Sequence, residues 1–103
     1  MNSELLILYS RKGCCLCETL EKKLSNICLN NLKPSLLLSI VDIDSKKVSL
    51  DIQMKYTNDV PVIVLDSNRL LKKIELPRVP PRLKEDMLLS WIQKNLNILY
   101  KIA

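Results

Sequence analysis

Residues 9–18 of the chain read YSRKGCCLCE, and this stretch decides how the chain begins to fold. The apolar run LLIL at 5–8 precedes it and is typical of a strand buried on both faces. Gly13, the only glycine, stands where the strand must turn and where a positive φ or a close approach is needed. From Cys15 to about Leu29 the apolar positions recur at helical spacing: Leu16, Leu20, Leu24, Ile27 and Cys28. The pattern predicts a strand, a tight turn and a helix whose first turn carries cysteines.

Cys14 and Cys17 stand three positions apart at the predicted start of this helix. Unpaired backbone N–H groups and the helix dipole stabilise a thiolate at such a place, and Arg11 and Lys12 add positive charge. The chain has no histidine, so no imidazole is present to activate a thiol. Three residues of helix return Cys17 to the face of Cys14, which is the spacing that disulfide exchange needs.

The other two cysteines are predicted to stand apart from this pair. Cys15 is rotated by about 200° from Cys17 on a helix and is not expected to pair with it. Cys28 lies roughly 20 Å along a straight helix from Cys14, outside the reach of a disulfide, and is predicted to be a core-facing thiol. A closed zinc site usually takes four ligands from two separated pairs, so no metal site is predicted within one chain. A cluster shared between two chains remains an open alternative.

The rest of the chain alternates strand and helix signals. Strands are predicted at 36–43, 60–65 and 69–76, the last two joined by a turn at 66–68. A short helix capped by Asp44-Ser45 follows the second strand, and a longer helix over 83–99 closes the chain and buries Leu83, Met87, Leu88, Trp91, Ile92 and Leu96. The order βαβαββα predicts an α/β fold with a four-stranded mixed sheet flanked by helices.

Three ordered motifs carry a resemblance to known proteins. They are YSRKGCCLCE, then VPV at 60–62, and PPRL at 80–83 before the last helix. With these motifs the chain resembles the thioredoxin superfamily, and within it a glutaredoxin-like family of small bacterial and plastid proteins. The resemblance implies a thioredoxin-like fold over residues 1–103 as one domain. It also implies thiol–disulfide chemistry, with Cys14 as nucleophile and Cys17 as resolving thiol.

The same resemblance implies a substrate site beside the cysteines. Pro61 would be a cis proline facing them, and the Val60 backbone would pair with a peptide-like substrate. Arg11 occupies the place of a lysine that binds a glutathione carboxylate in glutaredoxins, and Lys12 adds a second cation. Glutaredoxins also carry a Gly-Gly pair after the fourth strand, whereas residues 76–82 here contain no glycine. We therefore expect glutathione to bind weakly or in a different arrangement.

Composition and charge indicate which partners and which cellular compartment to expect. The net charge is +5, but the lysines and arginines are spread along the chain and no aromatic residues interleave with them, so nucleic acid is not an expected partner. No run approaches the ~20 apolar residues of a membrane span, and four cysteines without a signal peptide indicate a cytoplasmic protein. We expect a monomer that needs no cofactor and exchanges electrons with protein disulfides or with glutathione as co-substrate. The alternatives are a module that holds an iron–sulfur cluster or a protein partner without turnover, and an adaptor that makes no use of its thiols.

Overall fold

The computed structural model describes residues 4–80 and 82–102, for Ile102 the backbone alone, and its element order confirms βαβαββα. Pro81, part of the PPRL motif, lies outside the described residues. A one-turn 3₁₀ helix at Leu29–Asn31 lies between the first helix and the second strand. The strands and helices are β1 (Glu4–Ser10), α1 (Cys15–Asn26), β2 (Leu36–Asp42), α2 (Leu50–Tyr56), β3 (Val62–Ser67), β4 (Lys72–Glu75) and α3 (Glu85–Ile102).

The four strands form one mixed sheet in the order β2-β1-β3-β4. β1 runs parallel to β2, with Leu6 opposite Leu38, and antiparallel to β3, with Leu6 opposite Leu65. β3 and β4 form the antiparallel hairpin that the sequence predicts. β1 is paired along both edges, and apolar clusters cover both of its faces, so Leu6, Ile7 and Leu8 are buried, as expected of an inner strand.

Each face of the sheet has its own apolar core. On one face, side chains from β1 and β3 pack against α1 and α3: Leu6, Leu8, Leu20, Leu24, Leu65, Leu88, Ile92 and Leu96. On the other face, Ile7, Tyr9, Val62 and Val64 pack with Tyr56 of α2, whose ring stacks on Tyr9 with centroids 5.4 Å apart. The α/β architecture with helices on both faces is consistent with a thioredoxin-like fold and confirms the predicted fold class. No helix among residues 4–80 and 82–102 is long and apolar enough to cross a membrane.

The first helix ends earlier than its sequence pattern predicts, and this corrects the position of Cys28. α1 stops at Asn26 because Ile27 adopts an extended backbone while its N–H closes the last turn on the Lys23 carbonyl. Cys28 therefore lies outside the helix and is exposed, and Leu29 is buried instead. The prediction of a core-facing Cys28 is wrong.

Two apolar helix positions and two element boundaries also differ from the prediction. Leu16 and Met87 are 51% and 54% exposed, because Leu20 and Leu88 already fill the core beneath them. The cap of α2 is Ser49, whose hydroxyl accepts from the Ile52 N–H, rather than Asp44-Ser45. β3 continues to Ser67, so the hairpin turn falls later than 66–68.

Candidate active site

Cys14 is the N-cap of α1, which places its sulfur at the end of the helix. Its backbone is extended, and its Sγ accepts a hydrogen bond from the Cys17 N–H at 3.3 Å. The carbonyl of Cys14 accepts from Glu18 at 3.0 Å. Gly13 has φ +80°, so the lone glycine supplies the left-handed backbone that the turn requires. The turn thus aims a half-buried thiol at the free N–H groups of the helix.

Cys17 lies one turn inside the same helix and is fully buried. Burial is the main reason that the pKa of the Cys17 thiol is raised to about 11, and hydrogen bonding to the Cys14 side chain adds to it. The backbone of Arg11 partly offsets these effects. At neutral pH Cys17 is therefore a protonated thiol. The two cysteines of the motif thus differ in accessibility, because Cys14 is half-buried and Cys17 is fully buried.

All four cysteines are free, so the structure is that of the reduced chain and the predicted disulfide is not formed. Cys15 is exposed, and its carbonyl accepts from the Thr19 hydroxyl at 2.9 Å. Cys28 is exposed beyond the far end of α1. Within the described part of the chain, no three side chains of His, Cys, Asp or Glu come together as metal ligands.

Arg11 joins the turn that carries the cysteines to two other loops. Its Nε and Nη2 donate to the Asp44 carboxylate at 2.9 and 3.1 Å. Its Nη1 and Nη2 donate to the carbonyl and hydroxyl oxygens of Thr57, both at 2.8 Å. The hydrogen bonds to Asp44 raise the pKa of Arg11 further. Four of the five N–H groups of the guanidinium are thus bound within the protein, which leaves one to meet a substrate.

The sequence contains no signal for this arrangement. Asp44 and Thr57 lie 33 and 46 positions from Arg11, and neither belongs to a motif that includes it. Lys12, the other predicted cation, is exposed. Arg11 is therefore a positioning residue in the reduced protein, because its side chain holds the cysteine turn to the loops of Asp44 and Thr57.

Val60 and Pro61 lie at the head of β3, after the end of α2. The Val60–Pro61 peptide bond is cis, as predicted, and so is Lys33–Pro34, which the sequence did not indicate. The Val60 N–H donates to the Tyr56 carbonyl at 3.2 Å, and Asp59 donates to the same carbonyl at 2.9 Å. Pairing of a substrate with the Val60 N–H would therefore have to break an existing bond.

An apolar groove that the sequence did not reveal runs from Pro61 along α1 to the loop before α3. It encloses about 550 Å³ open to solvent, and its apolar lining includes Leu16, Leu20, Pro61, Val79, Leu83 and Leu88. The cations Lys23 and Arg78 also line it. The loop that forms one wall is held in place by Lys23, whose Nζ donates to the Leu83 carbonyl at 2.8 Å.

Comparisons with known proteins agree with this geometry. A family model described as a glutaredoxin-like domain (DUF836) matches residues 5–93. Among solved structures, the chain is similar to one titled a malarial protein, at 20% identity and a TM-score of 0.60, with 92% of this chain and 99% of that one covered. A structural-genomics target protein from X. campestris is also similar, at 20% identity and a TM-score of 0.50, with 86% and 96% covered. A search of the curated proteins found no match.

Proposed function

Because the chain belongs to the glutaredoxin-like domain family, we propose that it is a thiol–disulfide oxidoreductase that uses Cys14 and Cys17. The observation that carries the proposal is the difference between the two thiols. Cys14 caps the helix and is half-buried, whereas Cys17 is fully buried and has a pKa of about 11. An attacking sulfur has to be accessible and ionised, and a resolving sulfur has to wait as a thiol.

The reaction has two exchange steps. The Cys14 thiolate attacks one sulfur of a substrate disulfide, that S–S bond breaks, and the other substrate sulfur leaves as a thiolate. The Cys17 thiol then gives up its proton, for which the departed thiolate is a suitable base, and the Cys17 sulfur attacks Cys14. The Cys14–Cys17 disulfide forms and the second substrate thiol is released. Two electrons pass to the substrate; one proton comes from Cys17, and the second substrate thiolate takes its proton from solvent. A thiol reductant outside the chain returns the electrons and restores the two cysteines.

Residues around the pair position it and receive the substrate. Arg11 holds the cysteine turn through Asp44 and Thr57 and offers one remaining N–H to a substrate carboxylate. Lys12 is exposed and attracts anionic substrates. We assign further substrate contacts to Val60 and Pro61 at the head of β3, because Pro61 lines the apolar groove together with Leu16 of α1. We assign protein disulfides or glutathione as partners, in a cytoplasmic monomer without a bound cofactor.

Single-cysteine variants test the proposal. The protein is mixed with insulin, with dithiothreitol as reductant to measure turnover and without it to trap intermediates. The variants are Cys14→Ser, Cys17→Ser and, as matched control, Cys28→Ser. We expect Cys14→Ser to abolish turnover, Cys28→Ser to leave it unchanged, and Cys17→Ser to accumulate a mixed disulfide on Cys14 that mass spectrometry detects. Turnover that survives Cys14→Ser would refute the assignment. A coloured, iron-containing preparation would instead favour a cluster-binding module.

A further inference from the structure

The apolar groove begins within two residues of the proposed nucleophile. Leu16, which stands between Cys14 and Cys17 in the motif, forms one lip of the groove and is 51% exposed. Pro61 forms the lip on the sheet side. Because Leu16 belongs to the cysteine motif and lines the groove, we expect a substrate residue next to the attacked cysteine to reach it.

The groove combines an apolar lining with positive charge. Its floor and walls are leucine, valine and proline side chains, with the Thr19 hydroxyl as a minor polar component. Both charged residues that line it, Lys23 and Arg78, are cations. No aspartate or glutamate lines it among the described residues. Lys23 is already bonded to the Leu83 carbonyl, whereas the Arg78 side chain is exposed at the rim.

From these contacts we infer that the groove selects a polypeptide disulfide whose cysteine has an apolar neighbour, with an acidic residue of the same segment facing Arg78. This inference rests on the proposed function and names its substrate class. A leucine-sized side chain buried in the groove is expected to favour the encounter by roughly 10- to 100-fold. Glutathione carries two carboxylates, an ammonium and no apolar side chain besides its cysteine. It therefore leaves the apolar walls unfilled.

The structure also shows why the groove keeps its shape. The loop wall with Arg78 and Val79 is tied to α1 by the Lys23–Leu83 bond, and Leu88 of α3 is fully buried beneath it. The groove is therefore formed before a substrate arrives, and little ordering entropy is lost when a side chain enters it.

Two matched peptides test the inference. Each contains one cysteine joined as a mixed disulfide to 2-nitro-5-thiobenzoate, with a glutamate two positions away, and they differ only in whether leucine or serine adjoins the cysteine. Release of the coloured thiol gives the second-order rate constant for each peptide. We expect the leucine peptide to react at least tenfold faster. Oxidised glutathione should be at least tenfold slower than the leucine peptide.

Variants locate the preference in the groove. Leu16→Ser and Val79→Ser should each bring the leucine-to-serine ratio close to one, and because it is a ratio, any change in Cys14 reactivity cancels. Leu50→Ser is the control, since Leu50 is an exposed leucine (68%, against 51% for Leu16) in the first turn of α2 and does not line the groove. A third peptide has glutamine in place of the glutamate of the leucine peptide. We expect the glutamate peptide to react faster than the glutamine peptide, and Arg78→Ala to remove that difference.

The possible outcomes distinguish a failure of the groove inference from a failure of the proposed function. Equal and rapid reaction of all probes would overturn the groove inference and leave the oxidoreductase intact. Glutathione disulfide reacting as fast as the leucine peptide would overturn it as well. A ratio that persists in both groove variants would place the selecting surface elsewhere. Failure of every disulfide to react with Cys14 would overturn the proposed function itself.

Discussion

Replacing Cys14 with serine should leave Cys17 almost unreactive towards iodoacetamide at pH 7. A thiol with a pKa of about 11 is thiolate in roughly one molecule in ten thousand at that pH, against about 3% for an ordinary cysteine of pKa ~8.5. The thiolate fraction of Cys17 is therefore roughly 300-fold lower than that of an ordinary cysteine. A more basic thiolate is also the better nucleophile, and this raises the rate of Cys17 by roughly tenfold. A net deficit of about 30-fold remains before steric burial is counted. Burial is the main cause of the raised pKa, so the loss of the Cys14 hydrogen bond should not remove it.

The assay is timed alkylation, quenched and read by peptide mass spectrometry. Cys28 of the same chain is exposed and serves as the internal reference, and the experiment is repeated in urea to remove the fold. The folded protein should show Cys17 at least 30-fold slower than Cys28, with the Cys17 rate rising about tenfold per pH unit towards pH 11, and urea should abolish the difference. Equal modification of the two cysteines in the folded protein at pH 7 would refute the assignment of Cys17 as the waiting thiol.

Three further predictions concern the support of the site and the fold. Arg11→Ala should lower the melting temperature and slow disulfide exchange, because the cysteine turn loses its hydrogen bonds to the loops of Asp44 and Thr57. Lys12→Ala, at the exposed neighbouring residue, is the control for the loss of one positive charge. Equal effects of the two substitutions would contradict the positioning role of Arg11. Ile92 is fully buried, and Ile92→Ala should lower the free energy of unfolding, measured by urea titration, by about 2–5 kcal/mol. Ile98 is 48% exposed on the same helix, and Ile98→Ala should lower it by less than about 1 kcal/mol. Similar losses for the two variants would show that the buried face of α3 is misassigned. The urea midpoint should fall as pH rises from 9 towards 11, because the unfolded chain releases the Cys17 proton near pH 9 and the folded chain holds it to about 11; a Cys17→Ser variant should flatten that fall, and an unchanged slope would contradict the raised pKa.

The features that the sequence predicts well are local ones. The strand–turn–helix at 4–26, the single glycine at positive φ and the cysteine at the helix cap all depend on neighbours within a few positions. Periodicity and cap preferences report on such neighbours directly. The order of strands and helices along the chain was also predicted, because apolar runs mark the strands and turn residues separate them.

The features that it missed depend on distant contacts. The position of Cys28 was wrong because the helical spacing continued past the point where Ile27 turns the backbone away. Arg11 could not be matched to Asp44 and Thr57, since an ion pair and hydrogen bonds between separate loops leave no period in the sequence. The groove depends on how the proline-containing loop returns over α1, and the composition of that loop does not indicate where it lands.

The inner position of β1 has a consequence for how the backbone amides of the chain should exchange with deuterium. Leu6 and Leu8 are fully buried and paired on both sides, so their amides should exchange only when the whole sheet opens. Arg78 is exposed and lies in a loop between β4 and α3, so its amide should exchange within the native state. Cys14 stands four residues beyond the end of β1, at the border between these two regimes. Its sulfur is therefore anchored to the slowest-exchanging part of the molecule, and the amides of the loop beside it exchange through local openings that leave the sheet closed.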